Sequence, residues 1–383
     1  METLYIDTSE KLLELCQRLQ SCEWLALDTE FMREKTYYPQ LCLLQIGTPE
    51  MTACIDPLAI DNMQPVLDLI YNPDITKVLH ACGQDMEIFY HLRGSLPGPV
   101  FDTQIAAPLL GFAEQAGYAR LVEDILGVQL KKSHTRADWS HRPLSNAQLE
   151  YAADDVVYLC QIYTVLRDKL FQRGRLDWLQ DDFLGLSDPG RYSNPPEKAW
   201  RRVKAAHKLR GSQLATLQAF AAWREECAQQ ENLPRGWLVK DDVMVDIAKQ
   251  QPVNVEELAR IRGLGERTLK RRSDAILKII QNNRDSKPEA MPDYVRSAKP
   301  SVEQEAVIDL LNAVVHVRAA EHQLNPVQLA SRKQLQKMVQ GEQALELMNG
   351  WRRKLIGEEL QAVLKGKRHL HIKDGALTIT GDT

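Results

Sequence analysis

Over its first half the chain alternates short apolar runs with stretches of helical periodicity. "TLYID" (3–7) reads as a strand, Thr8 or Ser9 caps the helix "EKLLELCQRL" (10–19), and "WLALDTEF" (24–31) is a second strand. "LCLLQIGT" (41–48) and "TACIDP" (52–57) follow in quick succession, the pattern of an antiparallel meander. "KVLHAC" (77–82) is a further strand leading into the helix "QDMEIFYHL" (84–92), and "VFDTQIAAPLLG" (100–111) opens another helix with Asp102 as its cap. "LSNAQLEYAADDVVYLCQIYTVLRDKLF" (144–171) is one long helix, with Ser145 at the N-cap and Gln148 completing a capping box. The pattern predicts a mixed α/β domain over 1–185.

The pattern then changes. "GLSDPGRYSNPPEKAW" (185–200) is rich in Pro, Gly and Ser, and 186–208 reads as a linker. Beyond it the periodicity is helical throughout. "GSQLATLQAFAAWREECAQQENLP", "VKDDVMVDIAKQQP", "NVEELARIRGLG" and "ERTLKRRSDAILKIIQNN" are amphipathic segments broken by Pro and Gly, predicting an all-α module over 209–285. A second linker, 286–301, precedes a further helical set, placed at 302–375, whose last helix ends near Leu364. Within it "NPVQLASRKQLQKMVQG" echoes the position of "VKDDVMVDIAKQQ" in the first module, a weak sign of a diverged repeat.

A chain of 383 residues is too long for one ordinary core, which agrees with two or three domains. The net charge of −4 hides an asymmetry: residues 191–383 hold 33 Lys+Arg and 24 Asp+Glu, leaving 15 and 28 for residues 1–190. The halves therefore carry +9 and −13. The basic half is suited to nucleic acid, and the acidic half is a poor partner for it unless cations neutralise its site. Seven cysteines without a C-x-x-C pair argue against a disulfide framework or structural zinc, and for a reducing compartment. Without a signal-peptide pattern or an apolar stretch near the roughly 20 residues of a membrane helix, a cytoplasmic protein that engages no membrane is expected.

Against this background one stretch stands out. In "LALDTEF" (25–31), Asp28 and Glu30 are the only charges in an apolar strand, and residues two apart on a strand share a face. Two adjacent carboxylates repel unless a cation lies between them, so a hard-metal site is one reading. A helix cap or an arginine partner for one acid is the other. Asp85 falls at the start of a helix, Tyr151 and Asp155 lie four apart on one helical face, and Asp154 projects elsewhere. Asp102 and Asp138 are further candidates.

The order D-x-E on a strand, Asp at a helix start and Y-x-x-x-D on a later helix resembles the DEDD exonuclease superfamily, in its tyrosine-bearing subgroup. The blocks "LALDTEFMREKTYYPQLCLLQIG", "KVLHACGQDMEIF", "FDTQIAAPLLG" and "KKSHTRADWSHRPLSNAQLEYAADDVVYL" are similar, in that order, to the ribonuclease D family over residues 3–180. The basic half, best over 209–280, resembles the helical HRDC domains that this family carries in tandem, with 302–375 matching less closely. The resemblance implies an α/β exonuclease domain with a ribonuclease H-like mixed sheet, followed by one or two all-α HRDC domains. It implies two divalent ions, Mg²⁺ or Mn²⁺, on Asp28, Glu30, Asp85 and Asp155, with Tyr151 positioning the attacking water. It also implies a 3′→5′ exoribonuclease acting on the 3′ ends of precursor tRNA and other structured small RNAs, with release of nucleoside 5′-monophosphates. A DNA exonuclease with the same acids is the enzymatic alternative, and a catalytically dead RNA-binding adaptor the alternative of another class. "RADWSHRPL" (136–144) matches too, its arginine and tryptophan expected to support the site or the substrate. In "RIRGLGERTLKRR" (260–272), Arg262, Arg267, Lys270 and Arg271 surround a Gly-containing turn and a helix start, and are either RNA phosphate contacts or the solvated end of a helix. No obligate protein partner is indicated, and a monomer is expected.

Overall fold

In the computed structural model, which describes residues 2–130, 137–289, 299–342 and 344–381, the central strand is the one that carries the paired acids. Strands β1 (Glu2–Ile6), β2 (Trp24–Met32), β3 (Gln40–Gly47), β4 (Met51–Ile55), β5 (Thr76–Leu79) and β6 (Val100–Asp102) form one sheet in the order β1-β4-β3-β2-β5-β6. β2, β3 and β4 are the expected antiparallel meander; β1, β5 and β6 add to it in parallel. β6 was not foreseen, because three residues, "VFD", are too short to show a period.

Strand alternation decides which residues go to which face. Leu25 and Leu27 of β2, with Leu44 and Ile46 of β3, join a core with helices α1 (Ser9–Leu19), α2 (Gln64–Ile70) and α3 (Gly83–Arg93). Ala26 and Gly47, paired in register, turn to the opposite face. A Cβ on Gly47 would stand 3.0 Å from Cys160 Sγ and from Val156 Cβ, so the missing side chain lets the long helix α6 approach the sheet. The one-turn α4 (Thr103–Ala106) and α5 (Tyr118–Leu126) precede α6 (Asn146–Gln172), which starts at the Ser145/Gln148 capping box read from the sequence.

The segment expected to be a linker is partly structural. α7 (Gln180–Leu186) leads into short 3₁₀ turns, and Ala199, Trp200, Val203, Ala206 and Leu209 are buried in the first helical module. That module is α8 (Gly211–Gln230), α9 (Arg235–Leu238), α10 (Asp241–Gln250), α11 (Val255–Ala259) and α12 (Glu266–Asn282). It meets the exonuclease half through Tyr37, whose hydroxyl donates to the buried Glu225 carboxylate, and through Asn232, which accepts from the Tyr37 and Tyr38 amides at 3.0 Å each.

The last module comprises α13 (Val302–His322), α14 (Pro326–Leu329), α15 (Arg332–Val339), α16 (Gly350–Arg352), a π-type turn and α17 (Glu358–Leu364). Its core is continuous with that of the first domain: Leu311, Val315, Leu335 and Ile356 belong to one cluster with Leu121, Val156 and Leu166. Trp178 and Trp351 stack with centroids 4.5 Å apart, and Arg175 bridges the Leu109 and His322 carbonyls at 2.6 and 2.5 Å. A hairpin of β7 (Arg368–Lys373) and β8 (Ala376–Gly381) follows, turning at Asp374-Gly375 with both residues at positive φ. The helical reading of this region passed over its signal, an Asp-Gly pair between alternating strands.

Candidate active site

Asp28 and Glu30 leave β2 on the face covered by α6. Asp28 pairs in register with Gln45 and Glu30 with Leu43; the next pair is Phe31 with Leu41, so Cys42 is an extra residue in β3. Such a bulge increases the local twist and re-aims side chains beside it. From α6, Tyr151 and Asp155 project together, one turn apart. The carboxylates of Asp28, Glu30 and Asp155 converge, with one oxygen of each within 4.8 Å of the others. Asp154 is exposed, as its helical phase requires. These residues line a cavity of about 630 Å³.

The charges there are held at a cost. Burial pushes Glu30 up to about 8, with Asp155 and Asp85 adding repulsion. Burial likewise pushes Asp155 up to about 7, and raises Asp28 well above the usual carboxylate range with Asp155, Asp85 and Glu30 as further causes. Among the described residues none of the three forms an ion pair with a lysine or arginine. Arg33, which lines the cavity, is engaged bidentately with Glu87 at 2.7 and 2.8 Å. Convergent oxygen donors of raised basicity, beside an arginine already paired elsewhere, fit a hard divalent ion.

Asp85 stands slightly apart. It lies in the first turn of α3, is 8% exposed, and accepts from Thr29 Oγ at 2.5 Å. Burial pushes it up to about 6, Thr29 acting in the opposite sense. The turn that delivers it passes through Ala81 at φ 54° and is fastened by Asp102, which accepts from the Ala81 and Cys82 amides at 3.1 and 2.9 Å and caps α4. Asp102 is thus a scaffold acid. Asp138 is exposed and closes an Asx turn on Ser140 at 3.0 Å.

Behind Tyr151 lies Trp139, 2% exposed, with ring centroids 6.2 Å apart. The Tyr151 hydroxyl is raised by burial and by Asp155, Glu30 and Asp28, so it is a protonated donor. Arg142 ties this segment to the sheet, clamping Asp56 at 2.6 and 2.7 Å and donating to the Cys42 carbonyl at 2.7 Å. Arg136 lies outside the described residues.

Sequence reasoning missed four participants. Tyr118 donates to the backbone carbonyl of Asp155 and lines the cavity. His80 lines it as well, with Nδ1 2.9 Å from Thr103 Oγ. Gln84 contributes an amide to its wall. Gln45, fully buried beside Asp28, has no partner for either amide atom among the described residues. None of the four carries a local signal of what it faces, which only the fold shows.

Arg262, Arg267, Lys270 and Arg271 are all exposed, and none lines the acid cavity. Arg267 and Arg271 border a separate small cavity of about 170 Å³ with Trp237.

Residues 4–171 match the family model described as 3′-5′ exonuclease, and residues 213–280 that of the HRDC domain. The chain is 39% identical over 382 residues to ribonuclease D of Sphingobium indicum, covering 98% of both chains. It is 39% identical over 369 residues to ribonuclease D of Granulibacter bethesdensis, covering 94% and 92%. Its structure resembles that of Escherichia coli RNase D, an exoribonuclease involved in structured RNA processing, with a TM-score of 0.80, 33% identity, and coverage of 96% and 99%. The chain belongs to the ribonuclease D family and is a 3′-5′ exoribonuclease.

Proposed function

We propose that Asp28, Glu30 and Asp155 hold divalent metal ions, with Asp85 completing the set by leaving Thr29, and that the enzyme trims the 3′ ends of precursor tRNA and other structured small RNAs to release nucleoside 5′-monophosphates. The observation that carries this reading is the convergence of three half-buried carboxylates of raised basicity, none of which pairs with a described lysine or arginine. Two Mg²⁺ or Mn²⁺ ions there would supply charge neutralisation and Lewis-acid stabilisation of the attacking and leaving oxygens. Tyr151 orients the attacking water with its hydroxyl and is too weak an acid to be its base. Tyr118 fixes the backbone of Asp155, so that this carboxylate keeps its aim as substrate enters.

The basic modules are read as the RNA anchor, with Arg262, Arg267, Lys270 and Arg271 on phosphates. Residues 302–364 are read as a second module on the HRDC plan. In support, a long helix, a one-turn helix after or at proline and a two- to three-turn helix recur as α8, α9, α10 and as α13, α14, α15. The cysteines are all free, which suits a reducing cytoplasm, and no described helix is long and apolar enough to cross a membrane. We read the enzyme as a monomer.

The test compares a tRNA precursor with a 3′ extension, an unstructured RNA and a matched DNA, each with metal and with chelator. Metal-dependent shortening of the precursor to 5′-mononucleotides is expected. Preference for DNA, or no hydrolysis of any substrate, would remove the reading.

A further inference from the structure

Arg33 lines two cavities at once. One holds the acids; the other, of about 600 Å³, lies between the exonuclease domain and the first helical module and is bordered by Arg191, Asn194 and Arg235, with the carboxylates of Glu87, which Arg33 pairs, and Asp102, which is held by backbone amides. Arg235 opens α9, and two residues further on the same short helix presents Trp237, 59% exposed. Its indole borders the small third cavity with Arg267 and Arg271, over Leu233 and Leu238. Neighbouring charges leave those arginines available. Glu231 is engaged by Arg272, at 2.6 and 2.7 Å, and Arg272 also lies 5.7 Å from the Trp223 ring centroid. Among the described residues Arg267 and Arg271 form no ion pair. Trp237 also does little for the module's core, which Trp200 and Phe220 fill at 1% and 0% exposure.

An exposed flat ring that shares a small cavity with two guanidinium groups suits one ligand chemistry: a nucleobase flanked by phosphates. We propose that the single-stranded 3′ segment of the RNA runs from the acid cavity past Arg33, through the interdomain cavity along Arg191 and Arg235, and that an upstream base stacks on Trp237 with its phosphates on Arg267 and Arg271. The track explains why one helix carries both Arg235 and an exposed tryptophan. It rests on the exoribonuclease assignment and is independent of whether tRNA precursors are the substrates.

The test is a ladder of unstructured RNAs from two to about sixteen nucleotides, the span of single-strand sites. In the wild type KM should fall with length until RNA reaches Trp237. Trp237→Ala should flatten that fall, raising KM on the longest RNA about tenfold, the size expected for one lost stacking contact, with the change in KM rather than kcat. Trp237→Phe, which keeps a flat ring, should restore most of it. Arg267→Ala and Arg271→Ala should each lower the slope of log affinity against log salt by about one. KM for Trp237→Ala that tracks the wild type at every length overturns the track. So does a rise that is equal at every length, because that would be damage to the fold. Since the ladder carries no tRNA structure, failure on tRNA precursors and failure of the track are read from different assays.

Discussion

Asp28, Glu30 and Asp155 are more basic than ordinary carboxylates because they are buried together, and that fixes how the metal-free protein responds to pH. A carboxyl whose folded pKa is raised stabilises the fold while protonated, and that contribution is lost as pH rises through its folded value. Asp155 titrates near 7 and Glu30 near 8, so without metal the melting temperature should fall from pH 7 to 8.5. His80 and His91, lowered by burial, act in the opposite sense only below the ordinary histidine value of about 6.5. Added Mg²⁺ should raise the melting temperature more at pH 8.5 than at pH 7, since it binds the deprotonated acids. Melting curves with chelator and with Mg²⁺ check both; a flat metal-free profile would show that burial does not raise these acids. The amide variants test the same cost of burying charge. Asp28→Asn, Glu30→Gln, Asp85→Asn and Asp155→Asn should each lower kcat more than tenfold, over about 1.4 kcal/mol. The three from the convergent group should at the same time melt above wild type in chelator at pH 8. Tyr151→Phe keeps the ring against Trp139, so calorimetry should find metal affinity nearly unchanged while kcat drops; affinity falling in step with kcat would make Tyr151 a ligand. The paired acids and the Tyr-Asp turn were legible because like charges in an apolar strand and a four-residue spacing are local signals. Gln45 and Tyr118 were not, since an amide or a phenol in a strand or helix looks the same whether or not it faces a carboxylate.

Among the elements, β5 shows how a polar side chain does a turn's work. Lys77 is fully buried, and its Nζ donates to the carbonyls of Asn72, Ile75 and Gly98 at 2.8, 2.5 and 2.6 Å. It thus pins the turns before β5 and β6, and β5 leads directly to the segment that aims Asp85. Burial lowers Lys77 to about 8, yet three carbonyls hold its donors. Lys77→Met keeps the stem and strands the carbonyls, so urea unfolding should show a loss of about 3 kcal/mol. A loss under about 1 kcal/mol would mean that water replaces the ammonium. Sequence periodicity located β2 to β5 and α6 because each is long enough to repeat. It failed at β6, at the 3₁₀ turns around Trp200, and at the terminal hairpin, where short length or a helical frame of reading hid the period.

On the scale of the molecule, the chain is less modular than its composition suggests. Domain cores were expected at each side of Pro- and Gly-rich breaks, but the last module shares a core with α5 and α6, and the first is keyed to Tyr37 through Glu225. A chain ending near Asp188 retains all five site residues. It also uncovers the apolar surface that Leu311, Val315, Leu335 and Ile356 cover in the intact protein. It should therefore bind a hydrophobic dye and melt well below the full chain, with reduced hydrolysis even of short RNA. Trp351→Ala gives the milder version, loosening the stack on Trp178 and costing about 3 kcal/mol. Equal melting temperatures for full-length and shortened protein would show that the shared core adds nothing to the catalytic half.

The shared core also has a consequence for how the enzyme is made. During synthesis the acids, the sheet and α6 leave the ribosome well before Ile356, and at 5–20 residues per second the delay is roughly ten to forty seconds. Through that interval the nascent nuclease carries an unfinished apolar face beside the helix that aims Tyr151 and Asp155. Full competence therefore waits until Ile356 and its neighbours have emerged, and a chain terminated before them is marked for chaperones and proteases by the face it cannot close.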